Sequence, residues 1–178
     1  MTCAKKPKEQ RNAYDEYVTP DWCAEGLFDI IDFPETWTYM EPCRNSVNGP
    51  FYSRMPLGSA WGEIQEGVDY LATEYNHVDC IITNPPYSMA REFVDKALKD
   101  ADVVVMLLRL NFLESKSRFE WWIENAPSTV ITISKRPSFQ SNGKTDGQAY
   151  AYFVWDKKNR LDLPPFMWLP PPEGECLK

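Results

Sequence analysis

Residues 78–108 constrain this chain more than any other stretch. An apolar run, Val78-Asp79-Cys80-Ile81-Ile82-Thr83, leads into Asn84-Pro85-Pro86-Tyr87 and Ser88. Met89, Phe93, Val94, Ala97 and Leu98 then recur at helical spacing, and a second apolar run spans Val103 to Leu108. Strand, proline-stiffened loop, amphipathic helix and buried strand, in that order, predict a largely parallel α/β sheet. Each proline fixes its own φ and restrains the residue before it, so the loop is rigid. Ligands of such sheets bind at the carboxyl ends of strands, and this loop lies at one.

The flanking sequence extends the same alternation. Thr19-Pro20 reads as an N-cap followed by proline at the first helical position, with Cys23, Leu27, Ile30 and Ile31 as the apolar face of that helix. Trp37 to Met40 predicts a short strand ending in Glu41-Pro42. Residues 43–58, rich in Asn, Ser, Gly and Pro, predict loop. Ala60 to Ile64 predicts a strand, and Val68 to Leu71 a very short one. Ser88 is placed to cap the helix after the proline loop, and Arg118 to Asn125 predicts another helix. Val130 to Ser134 and Ala149 to Trp155 predict two last strands, joined without a helix and therefore antiparallel. We place a single domain over residues 14–156, a flexible arm over 1–13 and a proline-rich tail over 157–178, packed as an extended strap.

Bulk composition narrows the function class. With 43% hydrophobic and 14% aromatic residues among 178, the chain is globular and long enough for one full core. Five scattered cysteines, none in a C-x-x-C pair, and a lone His77 argue against a metal site and for reduced thiols in a cytoplasm. No apolar stretch is long enough to span a membrane, and Met1 to Arg11 has no signal-like apolar segment. A net charge of −7 argues against broad, sequence-independent nucleic-acid binding, which depends on phosphate neutralisation. It leaves room for local basic clusters: Lys5, Lys6, Lys8 and Arg11; Lys116 and Arg118; Lys135, Arg136 and Lys144.

Asn-Pro-Pro-Tyr alone is also the composition of an ordinary turn. At the end of a buried strand, however, it resembles the catalytic loop of S-adenosylmethionine-dependent amino-methyltransferases. Over roughly residues 14–156 the chain is similar to DNA adenine-N6 methyltransferases, especially compact phage-type members. Thr19-Pro20 is similar to an element near the methionine end of the cofactor. Glu41-Pro42 resembles the start of the motif whose acid faces the cofactor amino group. Glu63 matches the acid for the ribose hydroxyls, and Asp69-Tyr70 an Asp-aromatic pattern whose Asp contacts the cofactor adenine. Arg136-Pro137-Ser138-Phe139, with Tyr150-Ala151-Tyr152-Phe153, resembles a late motif in which an aromatic, here Phe139, covers the flipped base. The chain departs from the family at Cys43 to Phe51, where a Gly-x-Gly turn is usual and only Gly49 matches; Asn45 and Asn48 tolerate a positive φ.

The resemblance implies a Rossmann-like class I methyltransferase domain with S-adenosylmethionine as cofactor and no metal. The implied catalytic residues are Asn84, Pro85, Pro86 and Tyr87. The implied cofactor residues are Thr19, Pro20, Glu41, Pro42, Gly49, Glu63, Asp69, Tyr70 and Asn84. Tyr87, Ser88, Arg136 and Phe139 are the implied substrate contacts. The partner is DNA, single- or double-stranded, and a base must be flipped out or unpaired to reach such a loop. Fourteen residues (70–83) separate Asp69 from Asn84, too few for an inserted recognition domain. Recognition is therefore expected from loops 110–118 and 138–148, a homodimer or a specificity partner, and should be short or relaxed. N4-cytosine, RNA or protein-glutamine methylation uses the same planar amine chemistry. A catalytically dead acidic binding module is the alternative outside enzymology.

Overall fold

The computed structural model describes residues 18–139 and 147–172. Among the described residues, seven strands form one sheet in the order β2-β1-β3-β4-β6-β5-β7. These are β1 Tyr39–Glu41, β2 Ala60–Trp61, β3 Val78–Thr83, β4 Ala101–Arg109, β5 Thr129–Ile133, β6 Tyr150–Asp156 and β7 Phe166–Leu169. β2, β1, β3 and β4 run parallel, and β6 is antiparallel to both of its neighbours, β4 and β5. This is the expected α/β architecture, mostly parallel with an antiparallel C-terminal pair.

Alternation along the strands builds two apolar layers. Val103, Val105 and Leu107 of β4, with Tyr152 and Val154 of β6, pack toward α1, Asp21–Ile30. Val104, Met106 and Leu108, with Ala151, Phe153 and Trp155, pack toward α2, Ala90–Asp100, and Trp121 of α3, Phe119–Asn125. Strands buried on both faces read as continuous apolar runs, which is why β3, β4 and β6 were legible in the sequence.

Several local expectations are corrected. Thr19 does not cap α1; Pro20 holds the cap position with no side-chain bond, and the Thr19 hydroxyl is used elsewhere. Ser88 lies inside a 3-10 turn, Tyr87–Met89, that precedes α2, so it is not a cap; Met89 is exposed, not core. β2 stops at Trp61, because Glu63 caps a 3-10 turn at Ile64–Glu66 by accepting from the Gln65 amide. Val68 to Leu71 is no strand; only Val68 bridges back to Glu63, and Asp69 turns the chain by accepting from the Leu71 amide. The tail runs beside β5 as β7, with Leu169 wholly buried over Gly26 of α1.

Candidate functional site

The strand order places β2 and β3 on opposite sides of β1. The chain thus leaves β1 toward one edge and returns across it, and the carboxyl ends of β1 and β3 flank the switch point where open α/β sheets bind ligands. A cavity of about 690 Å³ opens there. Its walls include Thr19, Glu41, Pro42, Glu63, Asp69, Tyr70, Asn84, Pro86, Tyr87 and Ser88, together with Cys43, Arg44, Asn45 and Arg109. Among the described residues no helix is long and apolar enough to cross a membrane.

Asn84 follows β3 directly, and its amide nitrogen donates to the Thr19 hydroxyl at 3.0 Å. Thr19, 5% exposed, therefore orients the Asn84 amide. Glu41 closes β1 and is 2% exposed. Its carboxylate accepts the Tyr52 backbone N–H, yet Oε2 has no hydrogen-bond partner among the described residues. Burial, reinforced by the Glu63 charge and eased by Arg44, raises its pKa well above the ordinary carboxylate value. Such a carboxylate is suited to a cationic ligand group.

Glu63 anchors the loop that stands where Gly-x-Gly was expected. One oxygen accepts the Asn45 amide at 2.8 Å, the other the Gln65 amide at 3.0 Å. Each oxygen has a further lone pair for a ligand hydroxyl. Asn45 adopts φ 63°, the left-handed conformation its side chain tolerates. Gly62, which sequence reasoning passed over, allows the ends of β1 and β2 to close up: a Cβ there would lie 2.7 Å from the Pro42 carbonyl oxygen, and its N–H donates to Glu41 O.

The remaining expected site residues divide by position. Gly49 is not a cavity wall; a Cβ there would sit 2.0 Å from the Arg44 carbonyl oxygen, so this glycine lets the loop double back on itself. Pro20 and the buried Pro85 also lie outside the lining side chains. Tyr70 contributes to the wall, but its ring packs on Phe93 at 5.5 Å and its hydroxyl donates to Asp100. Arg136 is exposed and is not one of the cavity walls.

Phe139 is buried and meets Tyr87 edge-on, with centroids 6.4 Å apart and planes at 74°. A base sandwiched between two rings needs parallel faces about 7–8 Å apart. The expected Tyr87–Phe139 clamp is therefore not open in this conformation. Two residues complete the corner: Tyr150, which the sequence placed in the late motif without a contact of its own, and Arg109, which sequence reasoning missed. Tyr150 lies 4.9 Å from Phe139 and 5.6 Å from Tyr87. Arg109, the last residue of β4, sets its guanidinium 4.7 Å over the Tyr87 ring, and its Nε donates to the Tyr150 hydroxyl at 3.4 Å. Arg44 was also missed: its guanidinium stacks 3.4 Å over Trp61 and pairs with Glu66 at 2.6 Å. A strand-end position was the available signal for Arg109, because residues there face the ligand crevice.

No protein-family model matches the chain, and no curated protein matches it. Solved structures do. A modification subunit of a putative type I restriction enzyme from Vibrio vulnificus YJ016 has a TM-score of 0.58 at 15% identity, covering 89% of this chain and 48% of that one. A putative RNA methyltransferase from Pyrococcus horikoshii has a TM-score of 0.54 at 18% identity, covering 84% of this chain and 89% of that one. A putative class I S-adenosylmethionine-dependent methyltransferase from Listeria monocytogenes has a TM-score of 0.54 at 10% identity, covering 90% and 67%. The chain has the Rossmann-like fold of class I methyltransferases.

Proposed function

We propose that this protein transfers a methyl group from S-adenosylmethionine to the exocyclic N6 amine of adenine in DNA. The observation that carries this reading is the meeting of Asn84, Pro86 and Tyr87 with Glu41, Glu63 and Asp69 in one cavity at the switch point. Its walls suit the cofactor: the unpartnered Glu41 oxygen would take the ammonium group, Glu63 the ribose hydroxyls and Asp69 the adenine amine. When bound, S-adenosylmethionine supplies the electrophilic methyl group. The chain supplies alignment. The Asn84 side-chain oxygen accepts one N–H of the target amine and the Pro85 carbonyl accepts the other, turning the nitrogen lone pair toward the methyl group. Preorganised acceptors of this kind, with proximity, account for the acceleration. No cysteine is used as a nucleophile; burial pushes the Cys43 thiol far up and so disfavours its thiolate.

The fold likeness to a restriction-enzyme modification subunit supports DNA as substrate and a separate partner for sequence recognition. The likeness to a putative RNA methyltransferase, over 89% of that chain, favours RNA as the second reading. A panel of unmethylated duplex DNA, single-stranded DNA and RNA, incubated with labelled S-adenosylmethionine and digested to nucleosides, separates the two. N6-methyladenine from DNA is the expected product. Label in RNA alone transfers the assignment to RNA, and label in no substrate despite cofactor binding rejects both.

A further inference from the structure

The corner formed by Arg109, Tyr87, Tyr150 and Phe139 has no role in the alignment chemistry above. The ring of Tyr87, on which an unstacked base would lie, carries a guanidinium 4.7 Å over it. Guanidinium and nucleobase are both flat and both stack on aromatic faces, so they compete for that surface. Arg109 also lines the cavity, and its Nε donates to the Tyr150 hydroxyl at 3.4 Å. Phe139 and Tyr150 fill the space beside Tyr87, so no parallel slot exists until this cluster opens. With a net charge of −7, the chain has little general attraction for a polyanion, and a cation at the mouth of the site acquires weight.

We infer that Arg109 is a nucleic-acid-binding residue that stacks on Tyr87 in the base's place and moves to a phosphate of the target strand when the base enters. The inference rests on the proposed function, because it needs a nucleotide at Tyr87. It adds a residue outside the Asn-Pro-Pro-Tyr loop and assigns it a two-position role. A charge that leaves an aromatic face for a phosphate does not change net charge, so its signature is salt dependence rather than cofactor affinity.

The test uses the full chain with saturating S-adenosylhomocysteine and a fluorescein-labelled, adenine-containing single-stranded oligonucleotide, read by anisotropy from about 50 to 200 mM salt. Arg109→Gln is expected to reduce the slope of log Kd against log salt by about 0.7, the value for one single-strand phosphate contact. Arg109→Lys keeps the charge and should restore that slope. Because Lys lacks the planar stack that competes with the base, it should bind the oligonucleotide no more weakly than wild type. Kd for S-adenosylhomocysteine, measured by calorimetry, should stay within about twofold in both variants, which also reports folding. An unchanged salt slope in Arg109→Gln, with the wild type binding the oligonucleotide, overturns the role of Arg109 and leaves the proposed function standing. A wild type that binds cofactor but neither binds nor methylates any nucleic acid overturns both.

Discussion

Replacing Glu41 with Gln should move stability and cofactor binding in opposite directions. Glu41 is 2% exposed, and its Oε2 lacks a partner among the described residues. Burial raises its folded-state pKa above the reference value of 4.5. A carboxyl shifted upward keeps its proton in the folded chain after the unfolded chain has released it. Its contribution to stability therefore declines as pH rises from about 4.5 to the folded value, by about 1.4 kcal/mol for each unit inside that window. Glutamine has no such titration. At pH 7.5 the ligand-free variant should be more stable by about 1–3 kcal/mol, the range for an unsatisfied buried group. For a chain of this size that is roughly 2–4 °C in Tm per kcal/mol. Near pH 4.5 the gain should vanish. Binding of a cationic amino group should weaken by about 1.5–3 kcal/mol, or roughly 10- to 150-fold in Kd, because the ammonium loses its anionic partner and keeps only a neutral amide acceptor. Differential scanning fluorimetry across pH and calorimetry with S-adenosylmethionine measure both halves. Wild type should also release protons on binding below its folded pKa, detectable as a buffer-dependent enthalpy that the variant lacks. A variant that is less stable at pH 7.5, or that binds the cofactor as wild type does, would refute the reasoning.

Four further outcomes follow from the geometry. Thr19→Val removes the acceptor that orients the Asn84 amide, so kcat should fall while the Kd for S-adenosylmethionine changes by less than about twofold, as expected of a positioning residue. Gly49→Ala drives a Cβ to 2.0 Å from the Arg44 carbonyl oxygen; the loop must shift, and calorimetry should register weaker cofactor binding. Leu169→Ala empties a wholly buried position beneath α1 and should cost about 2–5 kcal/mol in chemical unfolding, since β7 belongs to the core. Asp79, held down to about 2 by the Thr38 amide and by Arg160, stabilises the fold above the ordinary carboxylate pKa of 3.8 and loses that contribution as pH falls toward 2. Arg160→Ala should therefore raise the midpoint of acid unfolding followed by circular dichroism.

What the sequence made legible depended on how each residue is held. Buried strands announce themselves by composition, and β3, β4 and β6 lie close to the expected spans. Glu41 closes β1 and Asn84 follows β3, so their places at strand ends could be read from the apolar runs; Glu63 lies two residues beyond the end of β2, which the sequence placed too late. Val68 to Leu71 misled because four residues of strand-like composition were captured by the Asp69 turn and the Glu63 bridge. β7 was hidden by flanking prolines, which suit an extended strap; an edge strand tolerates them because its outer N–H groups need no partner. The altered loop at 43–50 illustrates a different limit. Asn45 was identified for its tolerance of positive φ, but its amide bond to Glu63 joins residues 18 apart and has no local signature. The Arg109 contact with Tyr87 is likewise a product of β4 lying beside β3 in the sheet. Most of loop 138–148 and the basic arm, both considered for nucleic-acid contacts, lie outside the described residues.

The most direct test of the account is methyl transfer from tritiated S-adenosylmethionine to unmethylated DNA, resolved by nucleoside mass spectrometry, for wild type and Asn84→Ala side by side. The account predicts N6-methyladenine from wild type and a loss of about 100- to 1,000-fold in the variant, the range for removing one preorganised polar group at the reacting centre, with cofactor affinity largely retained. Equal rates for the two proteins, or a methylated product other than N6-methyladenine, would contradict it.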